Sequence, residues 1–299
     1  MVYAHLRRNR IATVVLVAAF LCFIVGVAVA LSYAQTGDPY LFAVPTLFFA
    51  LFYILIAFAF SKQAVLAMSG AKRIEQRDSP ELYRTLENLA ISKGLPTPKL
   101  YLIDDTAPNA FATGIGRKHA AVAVTTGLLQ KLSKQELEGV LAHELAHIEH
   151  GDTRLMTLVV LLVGVITLIA DFFLRSLYWS GGRSRQGRRS NGIFLIVGIV
   201  LALLSPFIAQ LLKLAISRKR EFYADAEAAL TTRYPEGLAS ALEKIAGDQE
   251  VLEVANHATA HLYIENPFKG EKRHSAWHAM FSTHPAVEER IKRLREMMT

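Results

Sequence analysis

The chain has 299 residues, a hydrophobic fraction of 52% and a formal net charge of +7, and it contains one cysteine, Cys22. A single cysteine excludes an intrachain disulfide framework and a cysteine-based zinc site. The basic residues do not form a run interleaved with stacking aromatic residues, which argues against nucleic-acid binding. The apolar excess favours one domain combined with membrane segments.

Two uncharged stretches lie near the N-terminus. Residues 11–34 and residues 40–60 carry no charged side chain over 24 and 21 positions, and each is long enough to cross roughly 30 Å of hydrocarbon as a helix. The arginines before the first stretch would also suit a signal peptide, but its apolar run exceeds the usual range of roughly 7–15 residues. We therefore predict an N-terminal transmembrane hairpin over residues 1–62.

Residues 63–154 have the pattern of a folded polar domain, which we interpret as the first part of a catalytic domain. Ser79, Pro80 and Glu81 are typical of a helix start, and Gly94 is typical of a helix end. Three short apolar runs follow, KLYLID, NAFATG and HAAVAVTT, with turn-forming clusters between them. These runs predict a small antiparallel sheet of about three strands.

The next predicted helix contains a metal-binding pattern. Ser133 and Glu136 form a capping-box pattern at its start, and Gly151 is a natural stop. Within it, His143-Glu144-Leu145-Ala146-His147 is the HExxH pattern, whose two imidazoles stand one turn apart on one helix face and can bind one zinc ion. Zinc would lower the pKa of a bound water, and Glu144 would accept its proton.

The third metal ligand is less clear from spacing. His150 shares the helix face, but it lies seven residues beyond His143, a rise of about 10.5 Å that prevents all three rings from meeting one ion. Glu221 is a better candidate, and Asp225, four residues later, could accept the free N–H of a ligating histidine. An exposed acidic helix face would explain the same two carboxylates equally well.

Two later apolar stretches, residues 155–170 and 193–212, predict a second membrane hairpin within residues 155–216, with residues 217–299 as the second part of the catalytic domain. Near the span ends, twelve Lys and Arg residues lie on the side of the polar domain and five on the other side, which predicts a cytoplasmic catalytic domain. For the second hairpin alone the count is five against five. Its basic loop, residues 183–189, could instead lie on anionic headgroups, so we predict two to four transmembrane helices.

Several motifs occur in a characteristic order along nearly the whole chain. After the two N-terminal spans come PNAFATG, AVTTGLLQ, AHELAHIEHGD, SRKREFYADAEAA, NPF and STHPAVEERI. With these motifs the chain resembles the HtpX-type membrane zinc endopeptidases, which are related to the CAAX prenyl proteases. The resemblance implies a mainly α, integral-membrane protein with a zincin-like metalloprotease domain.

The resemblance also implies roles for individual residues. Glu221 would be the third zinc ligand beside His143 and His147, and Asp225 would support one of the histidines. An edge strand would hold an extended substrate by strand addition; its residues would be Asn109, Ala110, Phe111 and Ala112. His284 and Arg290 would approach the active site and position the scissile carbonyl or stabilise its oxyanion, although a loop histidine and a surface arginine are the alternative.

The expected function is that of a zinc metalloendopeptidase with one Zn²⁺ per chain, multi-pass in the cell inner membrane. The resemblance suggests that it cleaves misfolded or damaged membrane proteins at the cytoplasmic face, in protein quality control and stress response. Its partners would be unfolded or membrane-protein substrates, the lipid bilayer and further copies of itself or quality-control proteins, with no nucleic acid.

Two alternatives stay open at the level of sequence. A processing peptidase for one modified protein terminus would need a large membrane chamber, and two to four spans are few for that. A non-catalytic zinc-stabilised scaffold or chaperone would need four protein ligands in a closed site. The presence of Glu144 and the lack of an evident fourth ligand count against it.

Overall fold

The computed structural model describes residues 2–180, 218–255, 259–267 and 285–298. The described helices are α1 (Val2–Thr36), α2 (Tyr40–Met68), α3 (Pro80–Ser92), α4 (Thr126–Lys131), α5 (Lys134–His150), α6 (Asp152–Ser180), α7 (Arg218–Thr232), α8 (Pro235–Gly247) and α9 (Val287–Glu296). The strands are β1 (Lys72–Arg73), β2 (Lys99–Ile103), β3 (Ala110–Thr113) and β4 (Ala121–Thr125). The predicted mainly helical class is confirmed. The predicted fourth span, the basic loop and His284 lie outside the described residues.

Helices α1 and α2 are long and apolar enough to cross a membrane, over Arg7–Tyr33 and Tyr40–Met68. Only 17% and 22% of their most apolar windows are buried inside the protein, which differs from the core helix of a soluble protein. The first part of α6 packs against both helices through a shared apolar cluster, whose buried members are Leu16, Phe20, Ile54, Leu155, Val159, Leu162, Val163 and Ile166. The structure thus contains the two N-terminal candidate spans, and the crossing of α6 stays a prediction.

The sheet has four strands in the order β1-β2-β4-β3, so the predicted three-stranded antiparallel sheet is wrong. Strand β4 lies between β2 and β3, parallel to β2 and antiparallel to β3. All five residues of β4 are buried, as expected for a central strand covered on both faces. An uninterrupted apolar run such as AAVAV is the sequence signal for that position.

The β2–β3 connection crosses the end of β4, and this crossing explains the strand order. Thr125 Oγ1 donates to Ala107 O at 2.7 Å, and Gly127 N donates to Asp105 O at 2.9 Å. A Cβ at Gly127 would lie 1.9 Å from Thr106 O, so only glycine permits this approach. The connection therefore continues to the far edge instead of turning back beside β2.

Helix α5 lies at the centre of the polar part of the protein. Its residues from Gly139 to Ile148 are all buried, between the sheet on one side and α7 and α8 on the other. The predicted capping box is present, with Ser133 N donating to Glu136 Oε2 at 2.7 Å. Gly151, with φ at +73°, ends the helix in the left-handed conformation. Helix α6 starts at the next residue.

Candidate metal centre

Three side chains from α5 and α7 meet in one buried cluster: His143, His147 and Glu221. Their nearest ligand atoms all lie within 4.8 Å of one another. His143 Nε2 and His147 Nε2 are 3.2 Å apart, and the Glu221 carboxylate oxygens lie 3.8 Å and 3.6 Å from these two nitrogens. Tetrahedral ligands at about 2.0–2.1 Å from an ion are about 3.3 Å apart, so the cluster can hold one metal ion.

The other nitrogen of each imidazole faces a carboxylate. His143 Nδ1 lies 2.9 Å from Asp225 Oδ1, and His147 Nδ1 lies 2.9 Å from Asp152 Oδ2. A proton on Nδ1 of each ring would leave both Nε2 lone pairs free to point into the cluster. Asp225 was named in the sequence analysis and its role stays a prediction, whereas Asp152 was not predicted. Its only sequence signal is the place directly after Gly151.

Arg290 lies behind the ligands and is fully buried, at 0% exposure. Its Nε and Nη2 donate to the two oxygens of Asp225 at 2.9 and 2.7 Å, and its Nη1 donates to Ile264 O at 3.0 Å. Burial disfavours the charge of Asp225, but Arg290 and His143 lower the pKa of Asp225 to about 2. Arg290 thus keeps Asp225 ionised, and the predicted contact of Arg290 with the substrate stays a prediction.

The electrostatics of the cluster favour a cation. Burial lowers the pKa of His147, but Glu221, Asp152 and Glu144 together raise it to about 9. These carboxylates create a demand for positive charge beside His147, whereas burial lowers the pKa of His143 to about 4 and keeps that ring neutral. A divalent metal ion would satisfy this demand without protonating the ring.

Glu144 lies on the wall of the same pocket and is 2% exposed. The pocket is lined by Ala112, His143, Glu144, His147, Met156, Glu221, Leu262, Tyr263 and Ile264. His150 is not part of the cluster, and its Nε2 lies 3.5 Å from Glu227 Oε2. The helix geometry therefore separates His150 from the other two histidines, as the rise per residue requires.

Strand β3 brings the predicted substrate edge to this pocket. Thr125 N donates to Asn109 O, so every second residue of β3 forms backbone hydrogen bonds with β4. The backbone N–H and C=O groups of Ala110 and Ala112 therefore point to the outer edge of the sheet. Both outward backbone groups of Ala110 are already hydrogen-bonded within the chain, because Ile264 N donates to Ala110 O at 3.0 Å and Ala110 N donates to Asn109 Oδ1 at 3.1 Å. The ring of Phe111 packs edge-on against Tyr263. Ala112 is the residue of this edge that lines the pocket.

Comparison with known proteins identifies the family. The model of "Peptidase family M48" matches residues 76–298. The chain belongs to peptidase family M48. Membership makes it a metallopeptidase, a hydrolase of peptide bonds. The matched residues include His143, His147 and Glu221 and the whole of strand β3.

Several curated relatives of this M48 peptidase are named "Protease HtpX homolog". The relative from Tropheryma whipplei is 43% identical over 298 residues, covering 99% of each chain. The relative from Dictyoglomus thermophilum is 45% identical over 285 residues, covering 95% of this chain and 90% of the relative. The resemblance predicted from the motifs is therefore confirmed.

A solved structure is also similar, the crystal structure of S. mikatae Ste24p. It has 23% sequence identity and a TM-score of 0.45, with 88% of this chain and 64% of that chain covered. At this score the likeness supports no argument about the M48 peptidase.

Proposed function

We propose that the chain is a membrane-integral zinc endopeptidase that cleaves misfolded or damaged membrane proteins at the cytoplasmic face. The observation that carries this proposal is the buried cluster of His143, His147 and Glu221 with Glu144 on the same pocket wall. The family membership supports peptide-bond hydrolysis as the reaction.

The donor set suits zinc better than the hard cations. Two imidazole nitrogens and one carboxylate are a common ligand set of catalytic zinc, and they leave a fourth position open. Magnesium and calcium prefer all-oxygen ligands. Zinc bound by these three residues would polarise the scissile carbonyl and lower the pKa of water at the open position.

Glu144 is the residue that we propose for proton transfer. It follows His143 directly on α5, so its carboxylate shares the pocket with the ligands. In the proposed reaction this carboxylate accepts a proton from the attacking water and then donates it to the leaving amine. Arg290 and Asp225 support the metal ligands instead, because Arg290 donates to Asp225 and Asp225 contacts the ring of His143.

The substrate would add to the β3 edge at Ala112. Within the described residues, the outward N–H and C=O of Ala112 have no hydrogen-bond partner. An extended peptide could pair there and place its next peptide bond in the pocket. The apolar wall formed by Met156, Leu262 and Ile264 favours an apolar side chain beside the cleaved bond.

The position of the pocket supports a substrate that enters from the bilayer surface. Met156, which lines the pocket, belongs to α6, the helix that packs against the two candidate spans. We propose an N-terminal hairpin at residues 1–62, catalytic parts at 63–154 and 217–299 and a second hairpin at 155–216. His284 is proposed to stabilise the oxyanion, as the motif resemblance suggests.

The deciding experiment replaces Glu144 by Gln in the full chain, purified in detergent with zinc. We expect a loss of cleavage of an unfolded membrane-protein substrate by at least about 100-fold, with zinc still bound. Glu138→Gln on the same helix is the control, because Glu138 does not line the pocket. Full cleavage by Glu144→Gln, or a wild-type chain that binds no zinc, would refute the proposal.

A further inference from the structure

Asn9 is a buried polar residue near the start of α1, a helix that is otherwise apolar enough to cross a membrane. Its exposure is 5%, and it lies close to the polar part of the protein. An amide that is buried without hydrogen bonds destabilises the folded state. A residue of this kind at the end of a membrane helix therefore needs partners, and Asn9 has them at both ends of its amide.

The amide nitrogen of Asn9 binds the end of the motif helix. Its Nδ2 donates to Asp152 Oδ1 at 2.6 Å and to the backbone oxygen of His150 at 3.0 Å. Asp152 uses its other oxygen, Oδ2, to contact His147 Nδ1 at 2.9 Å. Asn9 is thus one hydrogen bond away from the carboxylate that orients a metal-binding histidine.

The amide oxygen of Asn9 binds the second helix of the cluster. Arg220 Nη1 donates to Asn9 Oδ1 at 2.9 Å, and Arg220 directly precedes Glu221 on α7. The same Nη1 lies 3.8 Å from Asp152 Oδ1. One side chain of α1 therefore connects the segment that follows His147 to the segment that carries Glu221, and all three contacting residues are buried.

We propose that Asn9 is a positioning residue of the metal centre, and that α1 is by this contact a part of the peptidase site as well as a membrane helix. Asn9 sets the separation between the end of α5 and the start of α7. Asp152 transmits this constraint to the ring of His147. The inference rests on the proposed function, because it assumes that His147 and Glu221 bind the same metal ion.

The alternative is that Asn9 only packs α1 against the rest of the protein. Thr13 provides the matched control, because it lies one turn further along α1 and is 6% exposed. Its Oγ1 donates only to Asn9 O, within the helix. A packing role alone predicts similar effects at both positions, whereas a positioning role predicts an effect on the metal at Asn9 only.

The experiment compares Asn9→Ala and Thr13→Ala in the full chain, in detergent. Zinc affinity is measured by competition with a chelator, and the Co²⁺-substituted proteins are compared by their visible absorption spectra. For Asn9→Ala we expect zinc affinity to fall about 10-fold, an altered Co²⁺ spectrum, and a lower kcat at unchanged KM. Thr13→Ala should match the wild type in all three measurements.

Equal zinc affinities and equal Co²⁺ spectra in the two variants would overturn the inference, even if Asn9→Ala were less stable to heat. Failure of the wild-type chain itself to bind Zn²⁺ or Co²⁺ would instead refute the proposed function. If Asn9→Ala does not fold, Asn9→Asp replaces it, since it keeps the volume and an acceptor for Arg220 but loses the donor to Asp152. Unchanged zinc affinity in Asn9→Asp would then overturn the inference.

Discussion

Arg290 and Asp225 form a buried ion pair whose geometry matters more than its net energy. Two parallel hydrogen bonds join the guanidinium to the carboxylate, an arrangement that restricts both side chains to one orientation. The desolvation of two charges offsets much of their attraction. The pair therefore serves chiefly to fix Asp225, and through Asp225 the ring of His143, in one position.

Removal of one partner from this pair should be costly. In Arg290→Met, Asp225 would keep a buried charge without its main partner, and we expect the free energy of unfolding to fall by about 3–5 kcal/mol. The measurement is chemical denaturation of the detergent-solubilised protein in the presence of a chelator, so that metal binding does not contribute. Lys292→Met on the same helix is the control, because Lys292 is largely exposed. A loss no larger than that of the control would contradict the prediction.

At the scale of single residues, the sequence predicts the candidate ligands and one residue beside them, Asp225, but not the other contacting residues. His143, Glu144 and His147 follow from one helical pattern, and Glu221 and Asp225 follow from spacing together with the resemblance. Asp152 was missed although it lies only five residues after His147, and Asn9 and Arg220 were missed because their contacts join positions up to 211 residues apart. Such contacts depend on the packing of α1 against α5 and α7, which no local pattern encodes.

At the scale of elements, the start of α5 combines a helix cap with an ion pair. Glu136 Oε2 accepts hydrogen bonds from Ser133 N at 2.7 Å and from Lys244 Nζ at 2.8 Å. Burial raises the pKa of Glu136, but Lys244 and Ser133 outweigh this effect and lower it below the ordinary value of 4.5. The ionised carboxylate therefore links α5 to α8 and stabilises the folded state.

This cap should make stability dependent on pH on the acid side. A carboxylate with a lowered pKa contributes fully above its unfolded value near 4.5 and loses its contribution as the pH falls through the folded value. Glu136→Gln keeps the capping geometry without the charge, so at pH 7 we expect it to be less stable by about 1 kcal/mol, allowing for solvent screening. In thermal melts this difference should shrink below about pH 4.5 and then vanish. A difference that stays constant down to pH 3 would contradict the prediction.

Strand β3 permits a direct test of substrate addition. Proline at 112 removes only an outward N–H, because Ala112 does not donate to β4, and edge strands tolerate such a proline. We expect Ala112→Pro to raise KM for an unfolded substrate by roughly 2- to 10-fold, the value of one hydrogen bond, with zinc affinity unchanged. Ala112→Gly keeps the N–H and should leave KM near the wild-type value. Equal KM values for the two variants would show that the substrate does not pair there.

In the sheet, the strand positions were predicted correctly from the sequence, but the sheet topology was not. All three apolar runs form strands, as predicted, within a residue or two of their expected positions. The predicted antiparallel pairing was wrong for β2 and β4, because hydrophobic patterns do not encode which strands become neighbours. That information lies in Thr125, Thr126 and Gly127, whose contacts with residues 105–107 only the fold makes visible.

At the scale of the whole molecule, the metal pocket and the candidate spans are one packed unit. Helix α6 starts next to the end of α5, and its first turns supply both Met156 of the pocket and Leu155 and Val159 of the cluster with α1 and α2. Asn9 adds a polar contact between the same parts. This packing requires the pocket to lie at the membrane surface if α1 and α2 cross the bilayer.

The orientation of that unit in the membrane can be tested by cysteine labelling in a Cys22→Ser background, which removes the single native cysteine. Basic residues flank the α1–α2 hairpin on its open side, with none in residues 35–39 between the helices, so the loop should face away from the cytoplasm. Thr36→Cys at the end of α1, beside that loop, and Asn88→Cys on α3 are both exposed positions. In intact spheroplasts we expect a membrane-impermeant maleimide to label the cysteine at 36 at once and the cysteine at 88 only after permeabilisation, while Cys22→Ser alone stays unlabelled. Labelling of the cysteine at 88 from outside, with protection of the cysteine at 36, would place the catalytic part on the wrong side. Labelling of both or protection of both would mean that the hairpin does not cross, because its loop and α3 would then share one side.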